Sequence, residues 1–424
     1  MVGLYKVGEY TRKTDWSVKR VVVTGIGMLS PLGANFDATW RSLIAGRSGV
    51  RAMPEWGDII GLRAAVAAPA APFELPEHYT RKRLRSMSRA GIMAVRASEM
   101  ALEDAGLLDD LVLGSGKVGV SYGSCLSGSD TLLDIARHCI DRDARGMQAS
   151  TFTQAMSHSC AANISIFFGL RGRIIPTSSA CTSASQGIGY AAEAIRSGAQ
   201  RVMVAGGAEE LSVPLLLLFD SMYATSQCKD GIDSSPRPFD TSRDGLVVAE
   251  GACSFVLEEL SFAQARGARI YAELVGFGTN SDGEHITAPT PATMREAVKD
   301  SLADAGLCAN DIGFVHAHAT GTVLGDVAEA EALEPVFGEG PPISALKSYC
   351  GHTLGACGSL EAAITIRMMQ EGTFVPVRNL EVPAPECAGL DIIRGTPRRR
   401  DVEFVMSNNF AFGGVNTSLV FKRV

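Results

Sequence analysis

Short runs of alternating or continuous apolar residues predict strands along this chain, and longer segments of helical spacing separate them. Arg20-Val-Val-Val-Thr-Gly-Ile-Gly27 is a β-branched run ending in glycines, which predicts a buried strand and a turn. Arg269-Ile-Tyr-Ala-Glu-Leu-Val-Gly-Phe-Gly278 repeats that design. The echo continues. Ala101-Leu-Glu-Asp-Ala-Gly-Leu107 precedes a strand at Lys117-Val-Gly-Val-Ser-Tyr122, and Ser301-Leu-Ala-Asp-Ala-Gly-Leu307 precedes one at Ile312-Gly-Phe-Val-His-Ala317. Ordered matches of three elements predict a duplicated α/β unit, with halves at 20–265 and 266–424 after a polar extension at 1–19. Ligands of such paired units sit between the halves, at strand and helix ends.

Composition narrows the function classes. At 424 residues, 46% hydrophobic and 20% charged, the chain is that of an ordinary globular protein too long for one core. A formal charge of −7 argues against nucleic acid as the main partner, while a local basic patch still suits an acidic one. The densest apolar run, Val213-Pro-Leu-Leu-Leu-Leu-Phe219, is far short of a membrane span, and the N-terminus has no apolar signal region. Ten cysteines without a CxxC pair read as reduced thiols of a cytoplasmic protein.

The sharpest chemical motif is Ser178-Ser-Ala-Cys-Thr-Ser-Ala-Ser-Gln-Gly-Ile-Gly189, leading into a helix that ends at Ser197-Gly198. It puts Cys181 at a helix entrance, where free amides and the helix dipole would lower a thiol pKa. A buried structural Cys is the bland alternative unless a base lies nearby. In Phe314-Val-His-Ala-His-Ala-Thr-Gly-Thr322, alternation puts His316 and His318 on one face unless the strand ends between them. Ser344-Ala-Leu-Lys-Ser-Tyr-Cys-Gly-His-Thr-Leu-Gly-Ala-Cys-Gly358 supplies Lys347 and His352 before a helix expected near Ser359. His352 thus stands in the second half roughly where Cys181 stands in the first. Together, Cys181, His318, His352 and Lys347 suggest thiolate acyl transfer with two imidazoles to handle an oxyanion. A zinc site from His316, His318, Cys350 and His352 is the rival reading; without HExxH or CxxC spacing, no metal is expected.

Other signals are less specific. Gly25-Ile-Gly27 lacks the third glycine of a dinucleotide fingerprint and Gly114-Ser-Gly-Lys117 lacks phosphate-loop spacing, so both read as turns. In Ser407-Asn-Asn-Phe-Ala-Phe-Gly-Gly-Val-Asn416, the Gly-Gly either aims an amide into a pocket or simply closes a core strand. Arg81-Lys-Arg-Leu-Arg85, with Arg89, is expected to open a helix running through Ile92 and to form a dock for an acidic partner.

From Val21 to Val424 the chain resembles the elongating β-ketoacyl-acyl carrier protein synthases, condensing enzymes of the thiolase fold. The resemblance rests on Ser-Ala-Cys-Thr-Ser around Cys181, Arg237-Pro-Phe-Asp-Thr-Ser-Arg-Asp-Gly245, Ala317-His-Ala-Thr-Gly-Thr322, Lys347 with Gly351-His352, and Phe410-Ala-Phe-Gly-Gly414. It implies two duplicated halves in an αβαβα arrangement and a decarboxylative Claisen condensation of an acyl-enzyme with malonyl-acyl carrier protein. Cys181 would be the nucleophile, and His318 and His352 would assist decarboxylation and hold the enolate. The amides of Cys181 and Phe412 would form the oxyanion hole, with Phe412 as gate. Lys347, Asp326, Glu329 and Glu361 would order the histidines. Thr320 and Thr322 would bind pantetheine, and Leu126 and Phe219 would line the acyl channel. Arg81, Lys82 and Arg85 would receive the carrier protein, which brings its own phosphopantetheine, so no cofactor is expected. The implied assembly is a homodimer; the alternative is a chain-length-setting or partner-dependent subunit of a heterodimer. Ala319 and Ala411 stand where the family usually has Gly, and His158 and Arg173 where Asn and Pro are commoner. Ala411 is therefore expected to restrict the gate if that position needs a positive φ.

Overall fold

The computed structural model describes residues 18–228 and 231–424; the extension expected at 1–19 falls almost wholly outside them. Ten strands form the main sheet: β1 (Val21–Leu29), β2 (Val118–Gly123), β3 (Ile174–Thr177), β4 (Val202–Glu209), β5 (Gly251–Glu259), β6 (Ala272–Ser281), β7 (Ile312–His316), β8 (Ile343–Ser344), β9 (Phe404–Ala411) and β10 (Val415–Lys422). Their spatial order is β8-β7-β9-β10-β6-β1-β5-β4-β2-β3. Read outward from the centre, β1-β5-β4-β2-β3 and β6-β10-β9-β7-β8 are the same order. Strand directions match as well: two antiparallel pairings, then two parallel ones, on each side. The halves join through a short antiparallel contact, Val22 with Glu273 and Val23 with Ala272.

Five helices matter to the site: α1 (Arg89–Asp104), α2 (Ser183–Arg196), α3 (Pro291–Ala305), α4 (Val323–Phe337) and α5 (Cys357–Glu371). Helix α1 covers the outer face of the first half and α3 that of the second, with α4 packed against α3. Helices α2 and α5 pack on each other between the two halves, giving the layered αβαβα arrangement of the thiolase fold. The central position explains their composition. Helix α5 is buried on nearly all sides, and α2 uses Ala, Gly and Ser to let neighbours approach. No helix is long and apolar enough to cross a membrane among the described residues.

The paired glycines do not make the expected turns; they lie inside β1 and β6. A Cβ on Gly25 or Gly27 would sit 2.1 or 1.9 Å from the carbonyls of Ala101 and Ala97. Gly276 and Gly278 meet Ser301 and Ala297 in the same way, at 2.3 and 2.1 Å. Glycine therefore lets α1 and α3 lie directly on their strands. The Asp-Ala-Gly-Leu echo has a matching cause. Asp104 accepts the Ile26 amide and Asp304 the Phe277 amide, both at 2.9 Å, and Gly106 and Gly306 end the helices at φ +67°.

Gly27→Ala or Gly278→Ala should force the covering helix outward and destabilise the protein by about 2–3 kcal/mol. Gly114→Ala, with open space around it, should change stability little. Chemical denaturation of the three variants checks this.

Candidate active site

A one-turn 3-10 segment introduces each central helix: Ala180–Thr182 before α2 and Leu354–Ala356 before α5. The first residue of each is left-handed, Ala180 at φ +50° and Leu354 at φ +47°. By this match the counterpart of Cys181 is Gly355, and His352 lies three residues further upstream. The two still meet across the interface between halves, with His352 Nε2 3.0 Å from Cys181 Sγ. The Leu354 amide donates to His352 Nδ1 at 3.3 Å. The proton of the neutral ring therefore sits on Nε2, facing the sulfur.

Strand β7 ends at His316, so the alternation that would align His316 with His318 stops there. His316 Nε2 accepts the Leu346 amide at 3.0 Å, while His318 turns into the site. Lys347 Nζ lies 3.1 Å from His318 Nδ1 and donates to the His318 carbonyl at 2.7 Å. It is also ion-paired with Glu361, whose second oxygen accepts from Asn409 at 2.7 Å. A cation donating to Nδ1 leaves the His318 proton on Nε2 as well. The two imidazoles stand 5.3 Å apart at 84°, each with an N–H to offer. Burial first, and then the Lys347 charge, holds both far below the usual imidazole pKa, so both are neutral.

Burial also pushes the Cys181 thiol up to about 12, against the opposing pull of Lys347. This corrects the lowered value expected from the helix entrance: in so dry a site, desolvation of the thiolate outweighs the favourable field. The remaining carboxylates hold backbone. Glu329 accepts the amides of His318 (2.7 Å) and Ala319 (2.6 Å), and Asp326 those of Gly321 (3.0 Å) and Phe239 (2.7 Å). Burial raises them to about 8 and about 6. Ala319 is itself strained at φ +29°, a cost that glycine would avoid. Ala411 escapes the restriction in this conformation. It pairs with Val415, and the left-handed positions of the turn fall on Gly413 and Gly414.

A cavity of about 500 Å³ opens from Cys181, His318 and His352 past Thr320, Thr322 and Phe412. The hydroxyls of Thr320 and Thr322 lie 2.9 Å apart on its wall. The Phe412 ring stacks on Phe219, centroids 6.2 Å apart. Leu126 is outside the cavity wall, in the apolar cluster that holds Phe219 and Phe412. The basic run also differs from expectation. Arg81–Leu84 is a helix of its own, broken from α1 before Ser88, which caps α1 through the Gly91 amide. Arg83 is engaged within the chain, bonding the Phe167 carbonyl at 2.8 Å and lying over its ring. Arg81, Lys82 and Arg85 remain exposed, without an ion pair among the described residues.

The sequence matches the beta-ketoacyl synthase N-terminal domain over residues 18–263 and the C-terminal domain over 271–381. The chain belongs to the β-ketoacyl synthase family. It is 37% identical over 415 residues to 3-oxoacyl-[acyl-carrier-protein] synthase 2 of Vibrio harveyi, covering 96% of this chain and 99% of that one. A beta-ketoacyl synthase from Burkholderia phymatum STM815 superposes with a TM-score of 0.94 at 51% identity, covering 96% of this chain and all of the other. The ishigamide ketosynthase/chain length factor gives 0.88 at 30%, with the same coverage. The protein is thus a condensing enzyme of the acyltransferase class.

The metal quartet considered from sequence does not assemble in this synthase, since Cys350 bonds the Leu346 and Gly351 carbonyls and His316 faces away. Ligand atoms of Cys181, His318 and His352 do lie within 4.8 Å of one another. The Lys347 ammonium against His318 makes that grouping a poor host for a dication. Sequence reasoning missed three participants. Asn409 ties Glu361 to His318, Cys357 donates to the Cys181 carbonyl at 3.2 Å, and the Leu354 amide sets the His352 tautomer. All three lie in motifs already singled out, but only the contacts of the folded chain reveal their roles.

Lys347→Met should strand Glu361 as a buried charge and destabilise the synthase by about 3–5 kcal/mol. Lys347→Met combined with Glu361→Gln should recover a large part of that loss. Urea denaturation of both variants measures it.

Proposed function

We propose that the synthase elongates an acyl chain by two carbons, condensing it with a malonyl group delivered on acyl carrier protein. The observation that carries this is the convergence of the Cys181 sulfur and two neutral Nε2–H donors in one buried pocket. Cys181 exchanges its thiol for the incoming thioester, releasing the carrier thiol. The malonyl thioester then enters, and its carbonyl oxygen accepts hydrogen bonds from His318 and His352. Loss of carbon dioxide leaves an electron pair on the α-carbon as an enolate, stabilised by the two N–H groups. That carbon attacks the Cys181 thioester, whose oxyanion is received by the amides of Cys181 and Phe412. Collapse breaks the bond to sulfur, giving β-ketoacyl carrier protein and a Cys181 thiolate, which takes a proton from water to regenerate the thiol.

In this reading burial and the Lys347 charge keep the imidazoles neutral, and Lys347, with Glu361, Glu329 and Asp326, keeps them oriented. Thr320 and Thr322 hold the pantetheine arm, and Phe412 gates an acyl channel at Phe219, with Leu126 in the apolar cluster around them. Decarboxylation supplies the carbanion, so the chain requires no cofactor or metal of its own. Arg81, Lys82 and Arg85 present positive charge to the acidic carrier protein. Exposed apolar side chains of the segment 129–155, including Ile140 and Phe152, and the edge strand β3 support a homodimer. Ten free thiols suit a cytoplasmic location. The likeness to a ketosynthase/chain length factor supports a second reading, a heterodimer in which this chain is the catalytic subunit.

Intact mass after mixing with acyl-carrier thioesters should show a gain of one acyl group, absent in Cys181→Ala. Full condensation by that variant would overturn the nucleophile assignment. His352→Ala should still be acylated but lose malonyl decarboxylation about 100-fold or more. Carrier-protein KM should rise about tenfold, with kcat nearly kept, when Arg81 and Lys82 are both changed to Glu.

A further inference from the structure

Glu209, the last residue of β4, is fully buried and lies outside the network described above. One carboxylate oxygen accepts the Leu126 amide at 3.1 Å and the Ser124 hydroxyl at 3.2 Å. The other accepts the Cys125 amide at 2.7 Å and the Gly355 amide at 3.1 Å. All four partners are neutral donors, matched to the four lone-pair positions of a carboxylate. Two turns from opposite halves therefore share one group: Ser124–Leu126, after β2, and the turn from His352 to Ala356. Their approach is close enough that a Cβ on Gly355 would fall 2.4 Å from the Cys125 nitrogen.

The second turn carries the orientation of His352. Leu354, beside Gly355, is left-handed at φ +47°, and its amide fixes the His352 tautomer. A non-glycine residue keeps such a conformation only where its surroundings over-determine it. We propose that Glu209 is a positioning residue, a carboxylate clamp that couples the Leu126 turn of the first half to the His352 turn of the second and so keeps the Nε2–H aimed into the site. It touches neither substrate nor reacting atoms and acts through the Gly355 and Leu354 amides. Burial lifts its carboxyl to about 7, with Glu210 adding to the rise. The other ionisable groups coupled to it, the thiols of Cys125, Cys160 and Cys181, are acids too. Protonation adds a donor where four donors already converge, so the clamp loosens as pH falls through about 7.

The inference rests on the condensing reaction proposed above, so the experiment separates the two half-reactions in the full-length enzyme. Acyl loading of Cys181 is read by intact mass, and malonyl-carrier decarboxylation by product formation, across pH 5.5–8.5. Glu209→Gln replaces one acceptor oxygen by an NH2 that would face amide donors. It should load acyl groups within about threefold of wild type but decarboxylate about 10- to 100-fold more slowly, short of losing an oxyanion donor altogether. Wild type should lose decarboxylation below about pH 7, and the variant should be slow at every pH. Ser124→Ala, which removes one donor and keeps the carboxylate, should show the same selectivity at about two- to fivefold. Equal loss of both half-reactions in either variant, or no loss in Glu209→Gln, would overturn the clamp while leaving the reaction intact. A wild-type enzyme unable to decarboxylate would overturn the reaction and the clamp with it.

Discussion

The site depends on a positive charge held out of water. Lys347 has its ammonium in the core, where an isolated ion would be prohibitive, and it remains charged because Glu361 is placed against it. Burial opposes the charged form, but the Glu361 field and the neighbouring thiols reverse the sign and raise the lysine above its ordinary pKa. That charge adds to the burial that keeps both imidazoles neutral, sets the tautomer of His318, and gives part of the support for a thiolate at Cys181. A neutral Lys347 amine could accept as well as donate at Nδ1, leaving only the longer contact from Asn409, at 3.4 Å, to hold the His318 tautomer.

This arrangement needs the duplicated architecture. Cys181 comes from the entrance to α2, His352 from the segment before α5, and those helices are the two packed between the halves. Lys347 and Glu361 flank His352 in sequence, whereas His318 arrives from the end of β7 and Asn409 from β9. Each central helix starts after a strained left-handed residue, so both entrances turn sharply toward the shared interface. The outer glycine contacts have the complementary task. By letting α1 and α3 sit directly on β1 and β6, they free the inner faces for the buried pair.

Much was legible from the residues. Repeated spacing of Gly-x-Gly and Asp-Ala-Gly-Leu disclosed the internal echo, because each repeat answers one local requirement: a helix lying on a strand and an acid accepting a strand amide. The motif around Cys181 and the two histidines disclosed the kind of chemistry, since thiol and imidazole have few other reasons to gather near glycine-rich turns. The glycines were nevertheless misread as turns. Spacing alone does not distinguish a positive φ from a missing Cβ, and here the missing Cβ was what mattered. The basic run was misjoined to α1 for a related reason: the Ser88 cap lies inside a run whose charges suggested continuity.

What the sequence determined by itself was the set of reactive groups, their places at strand and helix ends, and the doubling of the fold. These depend on side-chain type, short-range spacing and backbone preference. The tertiary structure alone decided which nitrogen of each histidine carries a proton, the direction of the Cys181 pKa shift, and the parts played by Asn409, Cys357 and Glu209. Apart from the Leu354 amide, a near neighbour of His352, those properties belong to distances and dielectric between residues tens to hundreds of positions apart. A buried carboxylate such as Glu209 takes its meaning from the amides that surround it, and no local pattern encodes which amides those will be.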